Sequence, residues 1–377
     1  MDEEKLAPSP NPSRAFTEAE IVVLDGIQAI RKRPGMYIGS ADAMGLRVML
    51  LDLVDLAVEC ASGGLGRSVS VEIHDDRSVT VRADGAGFPV GEISALEPDM
   101  TTVYGCSGRW RYGLAAFNAL SESAEARLRR DGILWRQRFA KGKAASPVES
   151  LGPTREAGAS LTFRADPEIF GESAFEAAPI AARLGELAAL NPEVRFEFRD
   201  DRTGLADSWE RRAGLVDLVR EINRGREPIH EPIAFKGRCG KAELGVAFQY
   251  HGGYETDLRA FANLTRMDEM LTNDARPVRN GRSRHVIGFL RALRQSIRPS
   301  TGWRSPPVPK EHLLDGLTAV LSIRLDEPMF EGSCRSRLGN PEAEAVAFSV
   351  AFLRLSAYFD EHPEVARRLR EKISAEV

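Results

Sequence analysis

The sequence predicts an α+β fold, with helices on one face of a mixed sheet and a second helix-and-sheet unit behind it. Three observations carry this. Over residues 46–61, apolar side chains recur at spacings of three and four (Leu46, Met49, Leu50, Leu53, Val54, Ala57), which gives one buried helix face. Val69, Val71 and Ile73, then Val79 and Val81, alternate with polar residues and predict two half-buried strands joined near Asp75-Asp76-Arg77. Past about residue 172 helical and alternating stretches begin again, and the strand patterns at 245–250 and 317–325 call for a second sheet.

In chain order, residues 1–15 hold three prolines and no apolar period, so they read as a mobile arm. Thr17-Glu-Ala-Glu20 has capping-box spacing, with Ile21, Val22, Leu24 and Ile27 behind it. Arg33-Pro34-Gly35 stops or turns that segment. After the strand ending near Val81 comes a glycine turn, then a helix beginning at Leu114, then alternating stretches at 124–129, 133–139 and 159–164. A boundary is expected near Phe170-Gly-Glu-Ser173, dividing the chain into units 16–171 and 172–377. In the second unit 180–190 and 215–222 read as helices and 194–198 as a strand. The last helix spans about 342–359, with a short one after Pro363.

A chain of 377 residues is long enough for two or three domains and a sizeable core. Its net charge of −4 gives no general pull toward nucleic acid or anionic membrane. No apolar run approaches the ~18 residues of a membrane span. The acidic, proline-rich start is the opposite of a signal peptide. Cys60, Cys106, Cys239 and Cys334 lack metal spacing and read as reduced thiols, which points to the cytosol.

Two segments carry a family resemblance: Arg31-Lys-Arg-Pro-Gly-Met-Tyr-Ile-Gly39 with the helix behind it, and Ser78-Val-Thr-Val-Arg-Ala-Asp-Gly-Ala-Gly-Phe-Pro-Val90. Together they resemble the nucleotide-binding core of the B subunits of DNA gyrase and topoisomerase IV, in the GHKL superfamily. Further on, Glu227-Pro-Ile-His230, Arg284-His-Val-Ile-Gly-Phe289 and Asp315-Gly-Leu-Thr-Ala-Val-Leu-Ser-Ile-Arg324 are similar in type and order to the family's transducer domain. The most specific match is Pro328-Met-Phe-Glu-Gly-Ser-Cys-Arg-Ser-Arg-Leu-Gly-Asn340, where the family has Phe-Glu-Gly-Gln-Thr-Lys and then Leu-Gly-Asn. The resemblance covers about residues 16–375. It implies a Bergerat-type α/β sandwich followed by a transducer, an ATP-clamped dimer and a DNA-passing cavity. No stretch resembles the metal-binding TOPRIM domain, so DNA cleavage would need partner subunits.

Carried over residue by residue, the resemblance implies a degenerate ATP site. At the water-activating glutamate stands Asp52, one methylene shorter, and general-base catalysis depends on hydrogen-bond reach. At the magnesium-binding asparagine stands Leu56, which has no oxygen to offer. Asp55 beside it is as readily a surface carboxylate. Ala83 replaces the aspartate that accepts from the adenine amino group, a bond worth about 1.5–3 kcal/mol, or tenfold to a hundredfold in affinity. Asp84, Gly85, Gly87, Phe88 and Pro89 keep the glycine turn, which backbone geometry alone would also require.

The lid is short, with twenty residues between Glu97 and Asn118. In the stretch that leads to Gly113, Trp110 stands at an expected histidine and Arg111 at an expected glycine, obstructing backbone approach to phosphate. Ala159 replaces the threonine beside adenine. Arg335 replaces the lysine that reaches the γ-phosphate, which is not a conservative swap.

Eight arginines fall between 276 and 304 with no acid among them, and Arg282, Arg284, Arg291 and Arg294 are the positions expected to face DNA; a solvated face fits equally. His230 and His285 read as structural, and Cys334 as an inert thiol. No metal site and no cofactor are expected, ATP and magnesium being disfavoured by the substitutions. A two-fold dimer through the first unit is expected, with a gyrase or topoisomerase component, DNA or an unidentified small molecule as further partners and no membrane. Three readings follow: a non-hydrolysing, dimeric binding or regulatory protein; a repurposed pocket that binds or transforms another small molecule; and weak residual ATPase activity through Asp52, Asp55 and Arg335.

Overall fold

The computed structural model describes residues 26–62, 66–85, 113–267, 283–297, 312–331 and 337–374. The chain opens with α1 (Gly26–Lys32) and the short α2 (Gly35–Ile38), turned at Pro34 as Arg33-Pro34-Gly35 requires. Then comes α3 (Ala43–Ser62), whose Leu46, Met49, Leu50, Leu53, Val54 and Ala57 are all buried. Strands β1 (Ser68–Ile73) and β2 (Ser78–Ala83) bury every second residue and pair antiparallel, as their alternation demands. Asp76 sets the turn between them by accepting the Ser78 N–H at 2.9 Å, and Arg77 takes the left-handed position with φ 67°.

After α4 (Gly113–Ala119) run β3 (Ser121–Arg130), β4 (Ile133–Ala140), β5 (Lys143–Ala144), β6 (Glu149–Pro153) and β7 (Gly158–Ala165). Helices α5 (Pro167–Phe170) and α6 (Ala177–Leu190) lead to β8 (Arg195–Asp200) and β9 (Leu205–Trp209). These nine strands form one sheet in the order β5-β4-β3-β7-β2-β1-β8-β9, with β6 beside β4. The β1–β8 pair is parallel and the others antiparallel, so the sheet is mixed, as expected. The first sheet therefore runs on to Trp209, past the boundary expected at 171/172. The reason is physical: β1 has a second edge to fill, and only β8, delivered back by α6, pairs with it.

The rest comprises α7 (Leu215–Ile222), β10 (Ile233–Cys239), β11 (Ala242–Tyr250), β12 (Asp257–Ala262), β13 (Thr265–Met267) and α8 (Arg284–Ser296). It ends with β14 (Leu317–Arg324), the small pair β15 (Phe330–Glu331) and β16 (Arg337–Leu338), then α9 (Pro341–Glu361) and α10 (Pro363–Ser374). The second sheet has the order β10-β11-β14-β12-β13. It is covered on both faces. Leu244, Val246, Phe248 and Tyr250 of β11 join one core with α8 and α9, while Ala247 joins the core of the first sheet together with Leu218 and Val219 of α7. That double burial explains the near-continuous apolar run of β11. Helices α8 and α9 touch at Gly288, where a Cβ would lie 2.3 Å from the Glu344 carbonyl oxygen, so only glycine fits. No helix among the described residues is long and apolar enough to cross a membrane.

Candidate functional site

Helix α3 lies against β1 and β2 and positions the acidic residues expected at the site. Asp52, Asp55, Leu56 and Glu59 fall at three and four spacing on one half-buried stripe, beside the buried row Leu53, Val54, Ala57 and Ala61. The three carboxylates are each engaged with other groups. Leu56 brings only carbon to that stripe, whereas magnesium requires oxygen ligands. Among the described residues no group of three or more His, Cys, Asp or Glu side chains is placed to hold a metal ion. Leu56 thus offers no oxygen at the position where the resemblance implies a magnesium ligand. Sequence reasoning missed Glu59, although its spacing from Asp52 and Asp55 was there to read.

The floor of the site is the end of β2. Ala83 stands directly opposite Ala159 across the antiparallel β2–β7 pair, and the two are only 4% and 5% exposed. Their methyl groups belong to the buried apolar cluster that also holds the inner face of α3. Gly158, before Ala159, has φ 118°, and a Cβ on it would meet the Ala83 carbonyl oxygen at 2.2 Å. The backbones of β2 and β7 approach too closely there for any side chain.

Asp84, expected in the ligand pocket, holds the backbone together. Its Oδ1 accepts the N–H groups of Arg67 and Ser68, both at 2.6 Å, and its own N–H donates to the Ser68 carbonyl at 3.2 Å. The chain entering β1 is thereby clamped to the chain leaving β2. Gly85 follows with φ 113°, a conformation that favours glycine. Gly113 opens α4, which packs on α3. The elements that carry these residues pack together: α3, with Asp52, Asp55 and Leu56, lies on β2 and on α4, which Gly113 opens, and β2, ending at Ala83 before Asp84 and Gly85, pairs with Ala159 of β7. Gly87, Phe88, Pro89, Trp110, Arg111 and Arg335 lie outside the described residues, and with them the question of whether Trp110 or Phe88 fills the space.

Of the arginines expected to face DNA, Arg284, Arg291 and Arg294 lie on α8, and Arg282 is outside the described residues. Glu344 of α9 stands 3.5 Å from Arg284 and 3.9 Å from Arg291, whose guanidinium also sits 4.7 Å from the centre of the Phe348 ring. The local sequence holds no acid, but tertiary packing supplies one. Spacing could not have shown it.

His230 is a structural group, its Nε2 accepting the Tyr250 N–H at 3.1 Å and its Nδ1 lying 2.6 Å from the Glu231 carbonyl. Burial lowers its pKa. His285 is fully buried with neither ring nitrogen hydrogen-bonded, and burial drives its pKa to about 3. Cys239 is an exposed free thiol, while Cys106 and Cys334 fall outside the described residues.

Residues 214–376 match the model of the DNA gyrase B family. The chain is 33% identical over 381 residues to the B subunit of DNA gyrase from Clostridium acetobutylicum, covering 95% of this chain and 58% of that protein. It is 30% identical over 389 residues to the B subunit of DNA topoisomerase 4 from Staphylococcus aureus, covering 96% of this chain and 57% of the other. The chain thus spans somewhat more than half the length of these relatives. Among solved structures it resembles the 43K ATPase domain of Thermus thermophilus gyrase B in complex with an aminocoumarin. That likeness has a TM-score of 0.77 at 28% identity and covers 93% of this chain and 94% of the other. The B-subunit of the DNA gyrase from Myxococcus xanthus gives a TM-score of 0.78 at 25% identity, over 92% of this chain and 99% of that one. Across nearly its whole length, therefore, the chain is a homologue of the ATPase-plus-transducer region of the DNA gyrase and topoisomerase IV B subunits.

Proposed function

We propose that this chain is a catalytically degenerate relative of gyrase B that acts by binding, as a dimer in the cytosol, alongside type II topoisomerases and without ordinary ATP turnover. One observation supports this most directly. Ala83 and Ala159 lie opposite one another, buried, where the resemblance calls for an aspartate and a threonine to read adenine. Two methyl groups cannot accept a hydrogen bond, and a purine amino group buried against them would lose a bond of about 1.5–3 kcal/mol. Leu56 adds the loss of a metal ligand on the helix above.

The same three residues favour a second reading, a pocket turned to a less polar ligand that it binds or transforms, since apolar surface is stabilised by about 25 cal/mol per Å² when a ligand covers it.

Phosphate release from ATP and magnesium, with calorimetric titration of ATP, tests both readings. The expected result is no magnesium-dependent turnover above the blank. Turnover that Asp52→Ala abolishes would overturn the first reading. The pair Leu56→Asn and Ala83→Asp is expected to raise ATP affinity only slightly, because the lid still carries Trp110 and Arg111. Full recovery of ATP binding from those two changes would show that the lid substitutions matter little.

A further inference from the structure

A second site lies away from α3. Where α6 ends and α7 begins, the second sheet leaves a cleft of about 360 Å³. This is within the range of small-molecule sites, roughly 300–1,000 Å³. Leu190 and Pro192 of the α6 end form one wall, Leu215 of α7 another, and Phe235 and Val246 of β10 and β11 the third. The lining is apolar in depth and cationic at the rim, where Arg212, Lys236 and Arg324 stand with a single carboxylate, Glu243.

These charges cancel only in part within the protein. Glu243 is already held by Arg238 at 2.8 Å. That bond, against the effect of partial burial and with help from Arg324 and Lys236, keeps its carboxyl below the usual range. Arg212 is bound to Glu210 at 2.7 Å. Arg324 donates to the Leu190 carbonyl at 3.2 Å, which fixes its guanidinium at the α6 wall, and it stands opposite Glu243 across the β11–β14 pair. Lys236 forms no hydrogen bond or ion pair among the described residues. The first turn of α7 also lines the cleft, and its N-cap, Gly214, has no side-chain cap. Asp217 of that turn folds back onto the Ala213 N–H at 2.9 Å. Lys236, Arg324 and Arg212 therefore outnumber Glu243, the cleft's one lining carboxylate, which Arg238 already holds, so the mouth of the cavity keeps a net positive charge.

We propose that this cleft binds a small organic anion, an apolar body bearing one carboxylate or phosphate group. At roughly 30 Å³ per water-sized unit the space takes about a dozen heavy atoms. The apolar part packs between Leu215, Phe235 and Val246, and the anionic end meets Lys236 and Arg324. Such a ligand touches the end of α6, the start of α7 and the strands of the second sheet at once. It would tie α6, which packs on the first sheet, to the second sheet.

Phenyl phosphate and phenylacetate are the probes, with phenylacetamide as the neutral control, read by saturation-transfer NMR and calorimetry on the full chain. Both anions are expected to saturate, and the amide to bind at least tenfold more weakly. A preference for the phosphate or for the carboxylate tells which anionic group the site takes. Lys236→Glu is expected to weaken binding about tenfold or more, and Ala234→Trp, on an exposed lining position of β10, to abolish it. Asp52→Ala is expected to leave it unchanged, which separates this site from the one on α3. Should Ala234→Trp fail to fold, Lys236→Glu and Lys236→Met on the exposed side chain carry the test. Equal binding of amide and acid, binding indifferent to the charge at residue 236, or no saturation at about 10 mM, the weak limit of specific binding, would overturn the proposal and leave a water-filled groove.

Discussion

His285 is a fully buried imidazole with no hydrogen-bond partner on either nitrogen among the described residues, and burial lowers its pKa from 6.5 to about 3. The folded state keeps it neutral while the unfolded chain takes up a proton below about pH 6.5, so the unfolded state binds more protons in that window. Stability is therefore full above pH 6.5 and is lost as pH falls toward 3, by up to about 1.4 kcal/mol per pH unit from this residue. His230 is lowered in the same direction and adds to the slope, whereas Asp166 and Asp200, also lowered, act only nearer the carboxylate range. His285→Leu is expected to flatten the profile between about pH 6.5 and 4.5, and to leave stability at pH 7 unchanged or higher, since two unsatisfied polar atoms are removed. Urea unfolding across that range checks it, and an unchanged slope would refute the assignment. Ala83, Ala159 and Leu56 were legible in the sequence because a substitution shows against a motif. The clamp by Asp84 was not, because its partners are backbone N–H groups at Arg67 and Ser68 that no side-chain pattern announces.

Glu186 of α6 is 2% exposed and meets three arginines: Arg183 at 3.0 Å, Arg259 at 3.2 Å and Arg266 at 2.7 Å. Arg183 shares the helix, but Arg259 and Arg266 come from β12 and β13, so one carboxylate ties α6, which packs on the first sheet, to the second sheet. Removing one partner of a buried cluster costs about 3–5 kcal/mol, and the lower figure applies because the half-exposed Arg266 regains water. Glu186→Ala is expected to destabilise by about that much in urea melts at pH 7. A loss below about 1 kcal/mol, the size of a surface pair, would show that the cluster contributes little.

Elements with strong periods were legible: α3, β1, β2, α7, β11 and β14 lie close to where their patterns put them. β9, which is largely exposed, and β10, interrupted by Gly237, offer no clean alternation and were not read. α8 was hidden by its own charge. Val286, Phe289, Leu290 and Leu293 form a buried helical face beneath arginines whose charge suggested DNA instead.

At the scale of the whole molecule, a two-fold dimer through the first unit is expected, modest in affinity if, as proposed, ordinary ATP binding is lost. Light scattering at high micromolar concentration checks this; a strict monomer, unchanged by deleting residues 1–15, would remove the case. The α+β class and the two sheets were legible from periodicity, and the family from its motifs. The parallel pairing of β1 with β8 was not legible, because strand pairing across 127 positions, Ser68 to Arg195, leaves no local trace. That pairing has a consequence for biosynthesis. While the chain is being made, β1 waits with Val69, Val71 and Ile73 in place and one hydrogen-bonding edge bare until β8 emerges. Any event that ends synthesis or cuts the chain in this interval leaves a sticky ribbon instead of a smaller folded unit. Protein released at residue 171 is expected to precipitate, and protein released at residue 212, with β8 and β9 present, to stay in solution longer. Pelleting assays on the two lengths decide it, with equal solubility as the contrary result. The newborn chain is thus expected to be most exposed to proteases and chaperones between the emergence of β1 and that of β8.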